Sequence, residues 1–98
     1  MMLKILVDGQ ELRSAQGWVW EAREAVITSG CGVARVGFSK DRPPPIVAGT
    51  EMKFVDKKEP HLAGPQRAVS AQELNLVMNL RTIAQMELAH LAWVEFHY

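Results

Sequence analysis

The segment that most constrains the fold begins at Ser70, where the sequence carries a complete signal for the start of a helix. In Ser70-Ala-Gln-Glu73 the serine and the glutamate have the spacing of a capping box, in which each side chain accepts a hydrogen bond from the backbone N–H of the other residue. Val69 and Leu74 occupy the positions of the hydrophobic staple that often accompanies this motif. No Pro or Gly follows, and residues of high helix propensity dominate. We therefore predict a helix from Ser70 to about Phe96, about 40 Å long.

The predicted C-terminal helix has two unlike faces. One broad side is apolar at 3.6 residues per turn and is expected to pack on the core; it comprises Leu76, Val77, Leu80, Ile83, Ala84, Leu88, Leu91, Val94 and Tyr98. The other side is mostly polar but carries Met78, Met86 and Trp93, at spacings of eight and seven residues. Large apolar side chains on a polar face are typical of a surface that another molecule covers. The alternative is that a strand, or the loop over residues 56–67, of the same chain covers them.

Three earlier segments are predicted to be strands. Leu3–Val7 is a short apolar run that ends at Asp8-Gly9, a dipeptide typical of tight hairpin turns, and residues 10–13 are expected to pair back on it briefly. Residues 33–38 and 50–55 alternate between apolar and polar side chains, as half-buried strands do. Two stretches rich in Pro, Gly and charge, residues 40–49 and 56–67, are predicted to be loops.

Residues 18–29 admit two interpretations. As a strand, the segment would place Glu24 on the same face as its apolar residues. As a helix, its apolar residues align in one stripe, and the central Glu-Ala-Arg-Glu-Ala has high helix propensity. Ser14 would cap the start of this helix, and Gly30 would take the left-handed position after its end. We predict a helix.

Together these elements predict an α+β fold. The expected architecture is a small antiparallel sheet of three to four strands with two helices on one face, the C-terminal helix being long. A length of 98 residues predicts one globular domain over residues 1–98. The N-terminal residues lack the apolar run of a signal peptide, and no stretch approaches the length of a membrane span, so we expect a cytoplasmic protein without membrane contact.

The sequence offers little support for an enzyme or a cofactor site. Cys31, the only cysteine, would lie at the C-terminal end of the first predicted helix, where the negative end of the dipole disfavours a thiolate. Glu87-Leu-Ala-His90 has the Glu-x-x-His spacing of di-iron proteins, but the chain has one such motif where those sites need two. Fingerprints of serine hydrolases, P-loops and dinucleotide folds are absent. We predict no metal, no cofactor and no catalytic residue.

The leading prediction is a non-enzymatic protein-binding module of adaptor or inhibitor type. It would bind another protein, or a second copy of itself, through Met78, Met86 and Trp93, with Trp20 as a further contact. Eleven basic and eleven acidic side chains balance, which argues against binding by broad phosphate neutralisation. The alternative is a nucleic-acid-associated accessory protein, and a small enzyme without a recognisable motif comes third. The nucleic-acid alternative would use Arg35, Lys40, Arg42, Lys53, Lys57 and Lys58.

Overall fold

The computed structural model describes residues 3–13, 20–28 and 31–98. These residues form seven strands and one helix. In chain order the elements are β1 (Leu3–Val7), β2 (Gln10–Glu11), β3 (Trp20–Thr28), β4 (Cys31–Ser39), β5 (Glu51–Asp56), β6 (Arg67–Ala68), α1 (Ala71–Met86) and β7 (Leu91–His97). No helix among the described residues is both long and apolar enough to cross a membrane.

The strands form two antiparallel sheets. The first has four strands in the order β2-β1-β5-β6, and the second has three in the order β3-β4-β7. The turn between β1 and β2 has positive φ at both central residues, 49° at Asp8 and 81° at Gly9, which is the backbone of a tight hairpin turn. The predicted strands at residues 3–7, 33–38 and 50–55 are confirmed, as is the brief pairing of residues after the turn.

Both sheets contribute side chains to one hydrophobic core. Phe96 of β7 lies at its centre, because its ring is 5.6 Å from that of Phe54 in β5 and 6.5 Å from that of Phe38 in β4. Val77 of α1 is fully buried in the same cluster. Burying each such side chain stabilises the fold by roughly 1.5–3 kcal/mol. The helix therefore closes a core that lies between two sheets, rather than sharing one face of a single sheet with another helix.

The first helix of the predicted α+β architecture is wrong, because Trp20–Thr28 forms a strand instead. β3 pairs with β4 from Trp20↔Phe38 to Thr28↔Cys31, and the register shifts between Ala22 and Glu24. This β-bulge breaks the two-residue period, so Ala25 packs on the core and Ile27 is buried. Local helix propensity yields here to pairing with a distant strand. The proposed caps Ser14 and Gly30, and Trp18, lie outside the described residues.

The predicted long C-terminal helix is also wrong, because α1 ends at Met86 and the chain returns as β7. Leu88 takes φ 57°, and the Ala89 N–H donates to the Ala84 carbonyl at 2.9 Å, which ends the helix in a Schellman motif. Beyond that turn the side chains of residues 91–97 alternate, and β7 pairs with β4 over Val33↔His97 to Ser39↔Leu91. The prediction failed here because the helical period of 3.6 residues was extended past Met86, where the chain changes from helix to strand.

The start of α1 and part of its phase are as predicted. Ser70 Oγ accepts from the Glu73 N–H at 3.1 Å, and Glu73 Oε1 accepts from the Ser70 N–H at 3.1 Å, so the capping box is confirmed. Of the residues predicted to form the core face, Val77 and Ala84 are buried on α1, but Leu76, Ile83 and Leu88 are exposed. Arg81 and Gln85 of α1 both donate to the carbonyl of Lys40, which ties the helix to the residue that follows β4.

Candidate protein-binding surface

The end of α1 and the start of β7 form the surface that we call the α1–β7 junction, comprising residues 83–93 with Glu21 and Arg35. The Schellman turn reverses the chain here, so the last turn of the helix lies beside the strand that follows it. This strand, β7, is an edge strand of the three-stranded sheet and pairs with β4. The junction therefore combines helix, turn and sheet residues on one surface.

Trp93 occupies the middle of the junction. It alternates with the buried residues Ala92 and Val94, which places its side chain on the face of the sheet away from the core. Its Cα partner on β4 is Gly37, and a Cβ there would lie only 3.0 Å from the indole. The Arg35 guanidinium carbon lies 5.7 Å from the ring centroid, within the range of a cation–π contact. Glycine below and arginine beside it thus hold the indole against the sheet.

Two shallow clefts flank Trp93. One, of about 290 Å³, is lined by Glu21, Ala89, His90, Leu91 and Trp93. The other, of about 240 Å³, shares Ala89, Leu91 and Trp93 and continues along the helix. Its remaining lining residues are Arg35, Leu80, Ile83, Ala84, Glu87 and Ala92. Both clefts have an apolar floor with charged side chains at the rim, which is the usual make-up of a recognition site.

Large apolar side chains stand exposed at this end of the helix. Exposure is 46% for Ile83, 79% for Met86 and 83% for Leu88. Single exposed apolar residues are ordinary on a protein surface, but these three fall within six residues, and Ile83 lines the smaller cleft. Clusters of exposed apolar side chains are common on surfaces that bind another molecule.

Leu88 is in a conformation that its side chain disfavours. Its φ of 57° lies in the left-handed region, which glycine normally occupies at this position of a Schellman motif. A leucine there costs about 1–2 kcal/mol in backbone strain. Its side chain is also 83% exposed, so it gains little from packing within the chain. The fold alone therefore gives no reason for a leucine at this position.

The charges around the clefts are of both signs. Glu21 lies at the rim of the larger cleft with His90, and Glu87 lies at the rim of the smaller one with Arg35. Glu87 is the exposed C-cap residue of α1. Neither cleft is dominated by basic groups, so neither has the charge expected of a phosphate-binding groove.

The structure separates the four residues that the sequence indicated for protein binding. Met78 and Met86 are exposed on α1, at 41% and 79%, whereas Trp93 belongs to β7 and Trp20 is half-buried against the core from β3. The helical line that was to join Met78, Met86 and Trp93 therefore does not exist. Met86 and Trp93 both belong to the junction, but Trp20 does not.

Sequence reasoning missed Leu88, Ile83 and Arg35 as residues of this surface. Leu88 and Ile83 were assigned to the core face because the helical period was carried on without regard to where the helix ends. Arg35 was considered only as one of the six basic residues of the nucleic-acid alternative. The signal available for Leu88 was the density of aromatic and β-branched residues after it, since Trp93, Val94 and Phe96 favour a strand and hence a turn before it.

The six basic residues of the nucleic-acid alternative lie on separate parts of the fold. Arg35 is on β4 and Lys53 on β5, which belong to different sheets. Lys57 pairs with Glu11 at 3.4 Å, so part of its charge is neutralised. The other three are in the loops that follow β4 and β5, namely Lys40, Arg42 and Lys58.

Cys31 begins β4 rather than ending a helix, and its thiol lies beside the Thr28 hydroxyl. Its exposed Sγ lies 3.0 Å from Thr28 Oγ1, which also lies within hydrogen-bond distance of the Cys31 carbonyl. The described residues contain no group of three or more His, Cys, Asp or Glu side chains placed to hold a metal ion.

No family model, curated protein or solved structure matches this chain.

Proposed function

We propose that this chain is a protein-binding module that docks on its partner through the α1–β7 junction. The observation that carries the proposal is the run of exposed apolar side chains at Ile83, Met86 and Leu88 beside two clefts floored by Trp93. Interface cores are enriched in Trp, Met and Arg, and the junction contains Trp93, Met86 and Arg35. Trp93 is the best anchor, because tryptophan has a large contact area and few rotamers to lose.

Protein binding accounts for the junction better than the two alternatives. A nucleic-acid site would need basic residues gathered along one groove, but the six candidates are divided between two sheets and their loops. An enzyme would need a nucleophile or a general base in the cleft, with a second group oriented to activate it. Here the clefts offer Glu21, Glu87 and His90 at open rims, where solvent screens them. Adaptor or inhibitor action and cytoplasmic residence stay predictions.

Site-specific photo-crosslinking tests the proposal. A benzophenone side chain placed at position 86 should yield one discrete adduct when cells producing the chain are irradiated. The same group at position 72, an exposed glutamine in the first turn of α1, is the matched control and should give only background. Ile83→Gln, which makes a cleft wall polar at a position that is already 46% exposed, should reduce the position-86 adduct at least about tenfold. Equal labelling at positions 86 and 72 would refute the proposed surface.

A further inference from the structure

We infer that the partner at the α1–β7 junction is a second copy of this chain, with Leu88 of each copy seated in a Trp93 cleft of the other. The inference rests on the proposed function, since it names the occupant of the same surface. Three features of the junction support it: a projecting side chain, a cleft directly beside that side chain, and rim charges of both signs.

The projecting side chain is Leu88. Its neighbours Glu87, Ala89 and His90 all line the clefts, whereas Leu88 lines neither and is 83% exposed. The Leu88 side chain therefore does not fill either cleft of its own chain. It can thus contact a cleft only on another molecule.

The receiving clefts suit an apolar side chain of this size. Each has a volume of at least about 240 Å³, ample for the four carbons of a leucine, and Leu91 and Trp93 form an apolar floor common to both. Burying an apolar side chain there would remove from water both the leucine and the cleft floor. The interaction would also offset the cost of keeping a leucine in the left-handed region.

A projection and a cleft that adjoin on one surface are what a two-fold symmetric interface requires. In such an interface the same patch is used by both copies, so each must supply both halves of every contact. A different partner protein would need only one half, either a projection to enter the cleft or a pocket for Leu88. The presence of both halves on one surface therefore favours a second copy.

The charges are compatible with this arrangement. A stable interface buries about 800 Å² on each partner, and an area of that size would include the charged rims as well as the exposed apolar side chains. Those rims carry Glu21 and Glu87 together with Arg35 and His90. A patch with one sign of charge would repel its own copy, whereas a mixed patch can align acidic with basic groups across a two-fold axis. The net charge of zero adds no long-range repulsion.

Sedimentation equilibrium of the purified chain tests the inference. The parent should pass from 11.0 kDa to twice that mass as concentration rises. Leu88→Gly should raise the dimer dissociation constant at least about tenfold, because it removes the projection from both copies. Val47→Ala is the matched control; it truncates a 67% exposed apolar residue in a loop that lines neither cleft, and should leave the constant unchanged.

A complementation experiment tests the two-fold exchange itself. Ala89→Phe should fill both clefts, since Ala89 lines each, while leaving Leu88 in place. Each variant alone should then be largely monomeric. A mixture of Leu88→Gly and Ala89→Phe should associate more tightly than either alone, because the clefts of the first can receive Leu88 of the second.

The outcomes separate this inference from the proposed function. A parent chain that stays monomeric, or a Leu88→Gly variant that dimerises like the parent, would overturn the second-copy inference. In that event a position-86 adduct with a different protein would still support the proposed surface. An adduct of twice the chain mass, lost in Leu88→Gly, supports both. The absence of any adduct at position 86 would remove the surface and the inference together.

Discussion

At the scale of single residues, Tyr98 shows how tightly the far end of the core is packed. Its ring stacks on that of Phe54 with 5.0 Å between centroids, and a Cβ at Gly64 would overlap it. Its hydroxyl is buried and has no hydrogen-bond partner among the described residues. Burial, with a smaller contribution from the charge of a Cys31 thiolate, raises the pKa of Tyr98 to about 12. The stacked ring therefore stabilises the fold, whereas the buried hydroxyl without a partner destabilises it.

Because Tyr98 is the only tyrosine, its titration can be followed directly by tyrosinate absorbance. We expect a midpoint near pH 12 in the folded chain, against 10.0 for an unperturbed tyrosine. Below pH 10 the group is neutral in both states, so its contribution is unchanged. Above pH 10 the unfolded chain ionises first, and stability should fall until about pH 12. A midpoint near 10 in the folded chain would contradict the described burial.

Tyr98→Phe removes the unpaired hydroxyl and keeps the stacked ring. We expect the free energy of unfolding to rise by about 1 kcal/mol, because a buried polar atom without a partner is lost. The decline in stability above pH 10 should become shallower in the variant. Urea unfolding at neutral and alkaline pH measures both effects, and a variant less stable than the parent would mean that the hydroxyl has a partner in solution.

At the scale of elements, α1 begins with a strong local signal and ends with a weak one. Its first turn is held by the capping box and by an ion pair between Glu73 and Arg67. Burial alone would raise the pKa of Glu73, but hydrogen bonds from Arg67 and Ser70 outweigh it, so the pKa is lowered. The last turn has no basic residue, and leucine occupies the position where glycine is preferred.

The first turn of α1 should therefore make the fold sensitive to acid. A carboxylate whose folded pKa is lowered contributes stability above its unfolded value of 4.5, and that contribution is lost as pH falls through the folded pKa. Glu73→Gln should be less stable than the parent at neutral pH and should lose less stability below pH 4.5. Parallel curves for Glu73→Gln and the parent would contradict the ion pair.

The last turn of α1 should be more stable with glycine than with leucine. Leu88→Gly removes backbone strain and an exposed apolar side chain, so the monomer should gain about 1 kcal/mol in the free energy of unfolding. Leu88→Ala, which keeps a Cβ at the same φ, should gain less and is the control. Unfolding measured at low concentration separates this effect from association. A loss of stability in Leu88→Gly would show that the side chain packs within its own chain.

At the scale of the whole molecule, segments with local signals could be predicted from the sequence, and segments defined by distant pairing could not. The capping box at Ser70 and the Asp8-Gly9 turn depend on neighbouring residues, and both are confirmed. β7 exists because it pairs with β4, more than fifty residues earlier in the chain. β3 pairs with the same strand through a bulge that no alternation pattern reveals. The same contrast applies to the candidate site. Met86 was predicted to be exposed and is, whereas Leu88 was assigned to the core face because the end of the helix was not predicted.

The central claim, that copies of this chain meet through the α1–β7 junction, is tested most directly by mapping the contact residue by residue. Backbone amide spectra recorded from low to high protein concentration should show shifts concentrated at residues 83–93, Glu21 and Arg35, with little change at Val47. In Leu88→Gly these concentration-dependent shifts should largely disappear. Shifts confined to residues 25–28, the part of β3 that lies outside the junction, or no shifts at any concentration, would contradict the account.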